Sequence, residues 1–464
     1  MRKQVFFFLI LLVAIPARAQ QSRLGAEFSG EGERLKKSCS SFNFKALGGC
    51  AQVFFLDHPL HIAVGSIAPQ NGFGAGAAFV YHWTPNETWR LNWNADAVAS
   101  PNGSWRTGLY MKAIRVPTRN LTVTMGTSGA SGESDLAVSE APFFNLYAQA
   151  ISLNKIYYFG LGPSTTRSGR SAFGMSERIF GTNLVWPVLS KLSLSFYGEA
   201  NGRFVDIRGN HGESTPSIEA LYTEATAPGL TSQPGFAQFG EGLRMRPHLF
   251  SDYLRLNYFL NFQQFVAGDS TFSFRRLTVD LGHQIPLYKR TRSFLPKDHN
   301  GPDSCAADST ADSPCPSVVR NFEGSVNLRF FLSDSFTGTG SVVPFYFQRT
   351  LGGSDINGNN SLSAFQDYRF RAPNVMFLRE SFEHSIWNWP LGIALSADQG
   401  KVALTRDDFG SSPWLHTYSA GLTLRAGGFP MVFLTFSWGS GEGTHTSASI
   451  DNSLLGGGGR PSFF

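Results

Sequence analysis

The chain has 464 residues and a mass of 50.8 kDa, with 42% hydrophobic, 14% aromatic and only 16% charged residues. It is too long and too apolar for a disordered tail, yet it falls well below the ~25% charge of soluble domains. Phenylalanine contributes 42 residues while mean hydropathy is −0.12, an odd pairing for a cytosolic enzyme. Beyond the N-terminus no apolar run approaches the about 20 residues of a membrane-crossing helix, which excludes a polytopic helical membrane protein.

The first element is a charged start at Arg2 and Lys3, an unbroken apolar run over 5–15 and the small-x-small end Ala17-Arg18-Ala19. This order predicts a secretory signal peptide over 1–19, and no Cys follows Ala19 as a lipoprotein would require. Cleavage removes three cations, so the formal charge of +5 gives no evidence for nucleic acid. Residues 20–58 read as a short periplasmic or lumenal leader holding Cys39 and Cys50, while Cys305 and Cys315 form a second close pair. Two local disulfides are expected in an oxidising compartment, although four cysteines allow three connectivities. No histidine stands at zinc-site spacing beside them, so no metal is assigned.

Over 59–464 the hydrophobic period is two. Leu192, Leu194 and Phe196 alternate with Ser193, Ser195 and Tyr197, and the wet face continues through Glu199, Asn201 and Arg203. Leu254, Leu256, Tyr258, Leu260 and Phe262 do the same against Arg255, Asn257, Asn261 and Gln263, as do Val326, Leu328 and Phe330 against Ser325, Asn327 and Arg329. A soluble sandwich could use such strands. Three features favour a membrane barrel. The segments are long enough to cross a bilayer at a tilt. Aromatics crowd their ends, as in Tyr81 with Trp83, Trp89 with Trp93, and Trp387 with Trp389. Tight turns alternate with long polar connections, the longest expected over 287–319. The expectation is an all-β fold, a transmembrane antiparallel β-barrel of about sixteen strands, with twelve or fourteen as alternatives. The chain finishes on Phe463-Phe464, and an aromatic C-terminal residue such as Phe464 is a signal that barrel-assembly machinery recognises.

One stretch is more specific: Leu351-Gly352-Gly353-Ser354, then Ser361-Leu362-Ser363-Ala364-Phe365, Tyr368-Arg369-Phe370-Arg371, a long strand, and Leu395-Ser396-Ala397-Asp398-Gln399-Gly400-Lys401-Val402. This order resembles the C-terminal half of the bacterial surface antigen superfamily, the BamA/TamA-type outer-membrane assembly and secretion barrels. By that resemblance Gly352 and Gly353 match a Gly-Gly turn, and Phe365 matches the aromatic of a lumenal-loop tetrad. Arg369 and Arg371 match the basic pair after it, and Asp398 with Gly400 a motif on the barrel wall. Gly72-Phe73-Gly74-Ala75-Gly76 is similar to the Gly-rich start of such barrels. The chain departs where the family has Arg-Gly, here Ser363-Ala364, and where the wall motif begins with Phe, here Ser396. Of the nearby cations Arg369, Arg371 and Arg379, the expectation is that Arg369 or Arg371 replaces the missing tetrad arginine against Asp398. The family's periplasmic POTRA domains have no counterpart in the 20–58 leader.

Other chemistry is thin. His445-Thr446-Ser447 has the spacing of outer-membrane lipid hydrolases, but it sits in a Gly-, Thr- and Ser-rich stretch where coincidence is easy. The run 355–360 suggests a calcium loop only vaguely and is better explained by turn chemistry. Asp303, Asp308 and Asp312 read as a solvated loop. The sequence thus implies a non-enzymatic barrel of the bacterial cell outer membrane, with no catalytic residue and no cofactor. Its lumen would be occluded by a loop over 352–371, and it would help insert or pass polypeptide or lipid. The expected partners are outer-membrane lipids, polypeptide clients and a separate periplasmic partner, with no nucleic acid. A passive pore for small solutes is the alternative, and a lipid hydrolase the minor one.

Overall fold

The computed structural model describes residues 60–116, 141–210, 214–295, 315–386, 390–426, 429–450 and 461–462. The signal peptide, the leader, Cys39, Cys50, Cys305, Asp303, Asp308, Asp312, Trp387, Trp389 and Phe464 lie outside them; of Cys315 only the backbone is described. The chain divides into two compact units. The first, Met1–Ile62 with Ala78–Val80, falls almost wholly outside the described residues, and the second, Ala63–Ala77 with Tyr81–Phe464, carries nearly all of the described strands and loops.

Sixteen long strands belong to one antiparallel sheet: β1 Leu60–Ser66, β2 Phe73–Trp83, β3 Trp89–Ala99, β4 Trp105–Arg115, β5 Phe143–Tyr158, β6 Ser171–Leu189, β7 Leu194–Gly209, β8 Phe236–Met245, β9 Leu254–Ala267, β10 Phe274–Leu295, β11 Cys315–Thr337, β12 Asn374–Ser385, β13 Leu391–Ala403, β14 Leu415–Ala426, β15 Phe429–Gly439 and β16 Gly443–Ile450. The two-residue His248–Leu249 adds to the β9 edge beyond β8. From β3 to β16 each strand pairs with the next wherever the register is described. Among the described residues helix is confined to single turns such as Ile218–Leu221, and no helix is long and apolar enough to cross a membrane.

Burial decides between sandwich and barrel. On β6 to β9 the large apolar side chains Phe180, Phe204, Phe239, Leu243 and Leu260 are exposed, while Glu177, Asn201, Arg203, Gln238 and Gln263 are buried. A sandwich would bury the apolar face. The inverted pattern is that of a transmembrane barrel, whose greasy face meets lipid and whose polar face lines a lumen. Trp83, Trp89, Trp105 and Trp438 stand at or next to strand ends, where an aromatic girdle belongs. Segments far apart in the sequence also meet: Arg203 on β7 touches residue 462, and Arg369 after β11 touches the β15–β16 turn.

One expectation needs correction. The connection expected over 287–319 is strand in its described parts, 287–295 and 315–319. Residues 287–295 of β10 pair with 315–324 of β11, past the ends of β9 and β12, with a bulge at Leu287/Tyr288. A two-stranded ribbon carries its hydrogen bonds between its own strands, so it persists without the apolar alternation used to recognise strands. Its root is fastened by the Tyr288 hydroxyl, which donates to Asp252 at 2.6 Å, and by Arg290, which donates to the Tyr253 hydroxyl at 2.7 Å. Hydrogen bonds from Arg255 and Tyr288 hold the Asp252 carboxyl down from 3.8 to about 2.

Candidate functional site

The loop over 338–373, between β11 and β12, folds back among the strands. Pro344 opens a tight turn, Phe345–Phe347, whose three rings are buried. Phe345 packs edge-on against Tyr158 and Phe173 at 5.2 and 5.1 Å, and Phe347 packs edge-on against Phe236 at 4.8 Å and at a tilt against Phe265 at 5.4 Å. Rings from β5, β6, β8 and β9 therefore converge on one short loop segment and exclude water there.

Past this plug the chain forms two small ladders, Arg349–Leu351 with Phe370–Ala372 and Gly353–Ser354 with Asn360–Ser361. Gly352 and Gly353 turn between them at φ +96° and +59°, a conformation that side chains resist. A Cβ on Gly353 would also lie 2.6 Å from the Asp367 Cα. At the tip the Asp355 carboxylate accepts from the backbone N–H of Asn357 and Asn359 at 2.9 and 2.8 Å, and Gly358 sits at φ +82°. This is an Asx-type turn, as the composition of 355–360 suggests. Burial pushes the Asp355 carboxyl up despite these bonds.

Phe365 is buried with Leu351, Leu362 and Phe370 against Val375 and Phe377 of β12 and Val402 of β13. Gly400 is the gap that admits them: a Cβ there would stand 3.0 Å from Leu351 Cδ1 and 3.3 Å from Leu362 Cδ1. The sequence-predicted Phe365 and Gly400 thus both serve one apolar cluster, Phe365 within it and Gly400 under Leu351 and Leu362.

The arginines behave differently from the expectation. Asp398, fully buried on β13, accepts both donors of Arg379, each at 2.7 Å, because register places Arg379 of β12 directly opposite it. The pair lies within the wall, and neither Arg369 nor Arg371 reaches Asp398. Arg369 instead donates to Thr165 of the β5–β6 loop at 2.7 and 2.8 Å, pairs with Glu442 of the β15–β16 turn and lies over the Phe370 ring at 4.4 Å. It straps the loop to two strand connections far apart in the sequence. Arg371 donates to the Phe345 carbonyl at 2.8 Å, and burial pushes its guanidinium down to about 10, leaving it charged at neutral pH. Just before it in the chain, Asp367 accepts from Gln70 of the β1–β2 connection at 2.7 Å, and the Tyr368 hydroxyl donates to the Pro69 carbonyl at 3.1 Å.

Beside the loop lies a cavity of about 440 Å³, bounded by inward residues of β5 to β7 and β9 to β12, by the loop and by residues 461–462. Its wall is a hydrogen-bond lattice. Glu199 accepts from Tyr197 at 3.0 Å, Gln238 at 3.0 Å and Gln263 at 2.7 Å; Arg203 pairs with Glu177 at 2.9 Å; Arg329 grips Asp280 at 2.8 and 2.9 Å. Buried charges are thus matched or hydrogen-bonded, as a low-dielectric lumen requires. Alternation in the sequence places Glu199 and Arg203 on a wet face, but their partnership depends on strand register. Sequence reasoning missed Glu442, Thr165 and the Phe345–Phe347 plug, for which the Pro-aromatic triplet is the one available signal.

His445 is exposed on β16, and the Ser447 hydroxyl bonds that of Thr435 at 2.8 Å rather than the imidazole. Among the described residues no three His, Cys, Asp or Glu side chains are grouped as metal ligands would be.

No family model and no curated protein matches the chain. Among solved structures it is similar to CdiB from Acinetobacter baumannii, at 11% identity over 84% of this chain and 59% of that one, with a TM-score of 0.46. It is also similar to BamA from Haemophilus ducreyi lacking POTRA domains 1–3, at 10% identity over 84% of this chain and 68% of that one, with a TM-score of 0.47. The copper transporter OprC superposes more loosely, with 11% identity over 79% of this chain and 58% of that one and a TM-score of 0.30. The chain spans about three-fifths of the CdiB structures it matches. These superpositions are loose, and the fold rests on the chain's own strand order, register and inverted burial.

Proposed function

We propose that the chain is a bacterial outer-membrane barrel that inserts or passes polypeptide or lipid through a loop-occluded lumen, without enzymatic chemistry of its own. The carrying observation is the loop over 338–373, whose rings, glycine turn and arginine strap occupy the lumen as a folded element. A passive pore needs a constriction at most, and a loop with its own apolar core exceeds that need. The order of Gly352, Gly353, Phe365, Arg369, Arg371, Asp398 and Gly400 supports the same reading through the surface-antigen resemblance. The Arg379–Asp398 pair departs from the loop–wall pairing that the resemblance implied. Outer-membrane lipids would contact the exposed apolar face, and polypeptide clients with a separate periplasmic partner would supply traffic. Planar-bilayer conductance of the refolded mature barrel tests it, comparing wild type with a deletion of 355–368. A low, flickering wild-type current that becomes large and steady on deletion is expected; a large steady current in both would make the protein an open pore.

A further inference from the structure

The cavity beside the loop is not empty of chain. Pro461 and Ser462 form part of its boundary, and the Ser462 carbonyl accepts a hydrogen bond from Arg203 Nη2 at 2.6 Å. Arg203 is 2% exposed and held on its other edges: Nη1 pairs with Glu177 at 2.9 Å, and Nε donates to Gln238 at 2.6 Å and Asn201 at 3.1 Å. These bonds fix the direction of Nη2. The partner it holds is a backbone carbonyl, an acceptor that every residue of a peptide carries. Around it Tyr147, Tyr197 and Phe259 offer ring surface, and Asn261, Gln263 and Asn360 offer amides. Such a lining can hold extended backbone without selecting one side chain. The free volume of about 440 Å³ falls within the about 300–1,000 Å³ of ligand sites.

We propose that this lumenal cavity is a seat for an extended peptide segment, built on the Glu177–Arg203 pair and occupied here by the chain's own Pro461–Ser462. The inference deepens the proposed function: a client peptide would displace the resident segment from the same donor. Only that client role rests on the reading of a polypeptide-passing barrel.

The test places a photo-crosslinking residue at position 201 of the full chain in lipid. The expected product joins position 201 to the fragment containing residues 461–462. In a chain ending at residue 460, the synthetic peptide Arg-Pro-Ser-Phe-Phe should be captured at the same position and compete with an unrelated extended peptide. The paired substitution of Glu177→Met with Arg203→Met removes the donor without stranding a charge, and should abolish capture in barrels that keep folded electrophoretic mobility. Folded barrels that capture neither the tail nor the peptide would overturn the seat, as would undiminished capture in the paired variant. Absent capture with the loop deletion still opening the current would sink the seat alone. Normal capture with no effect of that deletion would sink the occluded-barrel reading alone.

Discussion

The loop over 338–373 and the polar wall around Glu199 fill adjoining parts of one lumen by different means. The loop buries Leu351, Leu362, Phe365 and Phe370 against β12 and β13 and plugs itself with Phe345 and Phe347. The wall buries Glu177, Arg203, Gln238 and Gln263, each answered by a partner across the strands, beside open space. Packing binds the loop as a unit, because each buried group supports its neighbours. A lattice of matched polar groups tolerates water and leaves room. One lumen can therefore be shut in one region and receptive in another.

The largest break should come from the loop's own core. Phe365→Ala would remove about 3–5 kcal/mol of loop packing, exposing the loop to protease while the barrel keeps its heat-modifiable mobility. Simultaneous loss of both would mean that loop and wall are one cooperative unit. Next, Arg379→Ala strands the buried Asp398 carboxylate and should destabilise the barrel by ~3 kcal/mol in denaturant titration. Loop protection should be unchanged, and the exchange of Arg379→Asp with Asp398→Arg should restore stability; a loop released by the single substitution would show that it leans on this pair after all. Gly400→Val crowds Leu351 and Leu362 for ~1–3 kcal/mol, loosening the loop less than Phe365→Ala, and amide exchange across 349–372 would read the difference.

The smallest effect sits outside both regions, at the ribbon root. The Asp252 carboxyl is depressed to about 2, so its contribution is present above 3.8 and lost as pH falls through about 2. Solvent screening keeps it below ~1 kcal/mol. Exchange at Tyr288 should rise in that window, and Asp252→Asn should raise it at neutral pH and flatten the dependence.

The fold is legible in the sequence because a lipid-facing strand must alternate, and Leu260, Phe262, Asn261 and Gln263 display that alternation unaided. The Gly352-Gly353 turn and the Gly400 gap are legible for a similar reason: positive φ and close approach leave few residue choices. Partner identity is not. Arg379 and Asp398 meet because two strands align in one register, whereas Arg369 and Arg371, a few residues farther off in sequence, are drawn to Thr165, Glu442 and Phe345. The ribbon resembles a loop in sequence because residues 287–295 lack an apolar face, although paired backbones do not need one.

Hydrogen–deuterium exchange of the lipid-reconstituted barrel, resolved over 349–372, tests the folded lumenal loop most directly. Protection of Arg349–Leu351 and Phe370–Ala372 comparable with that of β12 and β13 is predicted. Exchange at the rate of an exposed loop, with both wall strands still protected, would contradict it.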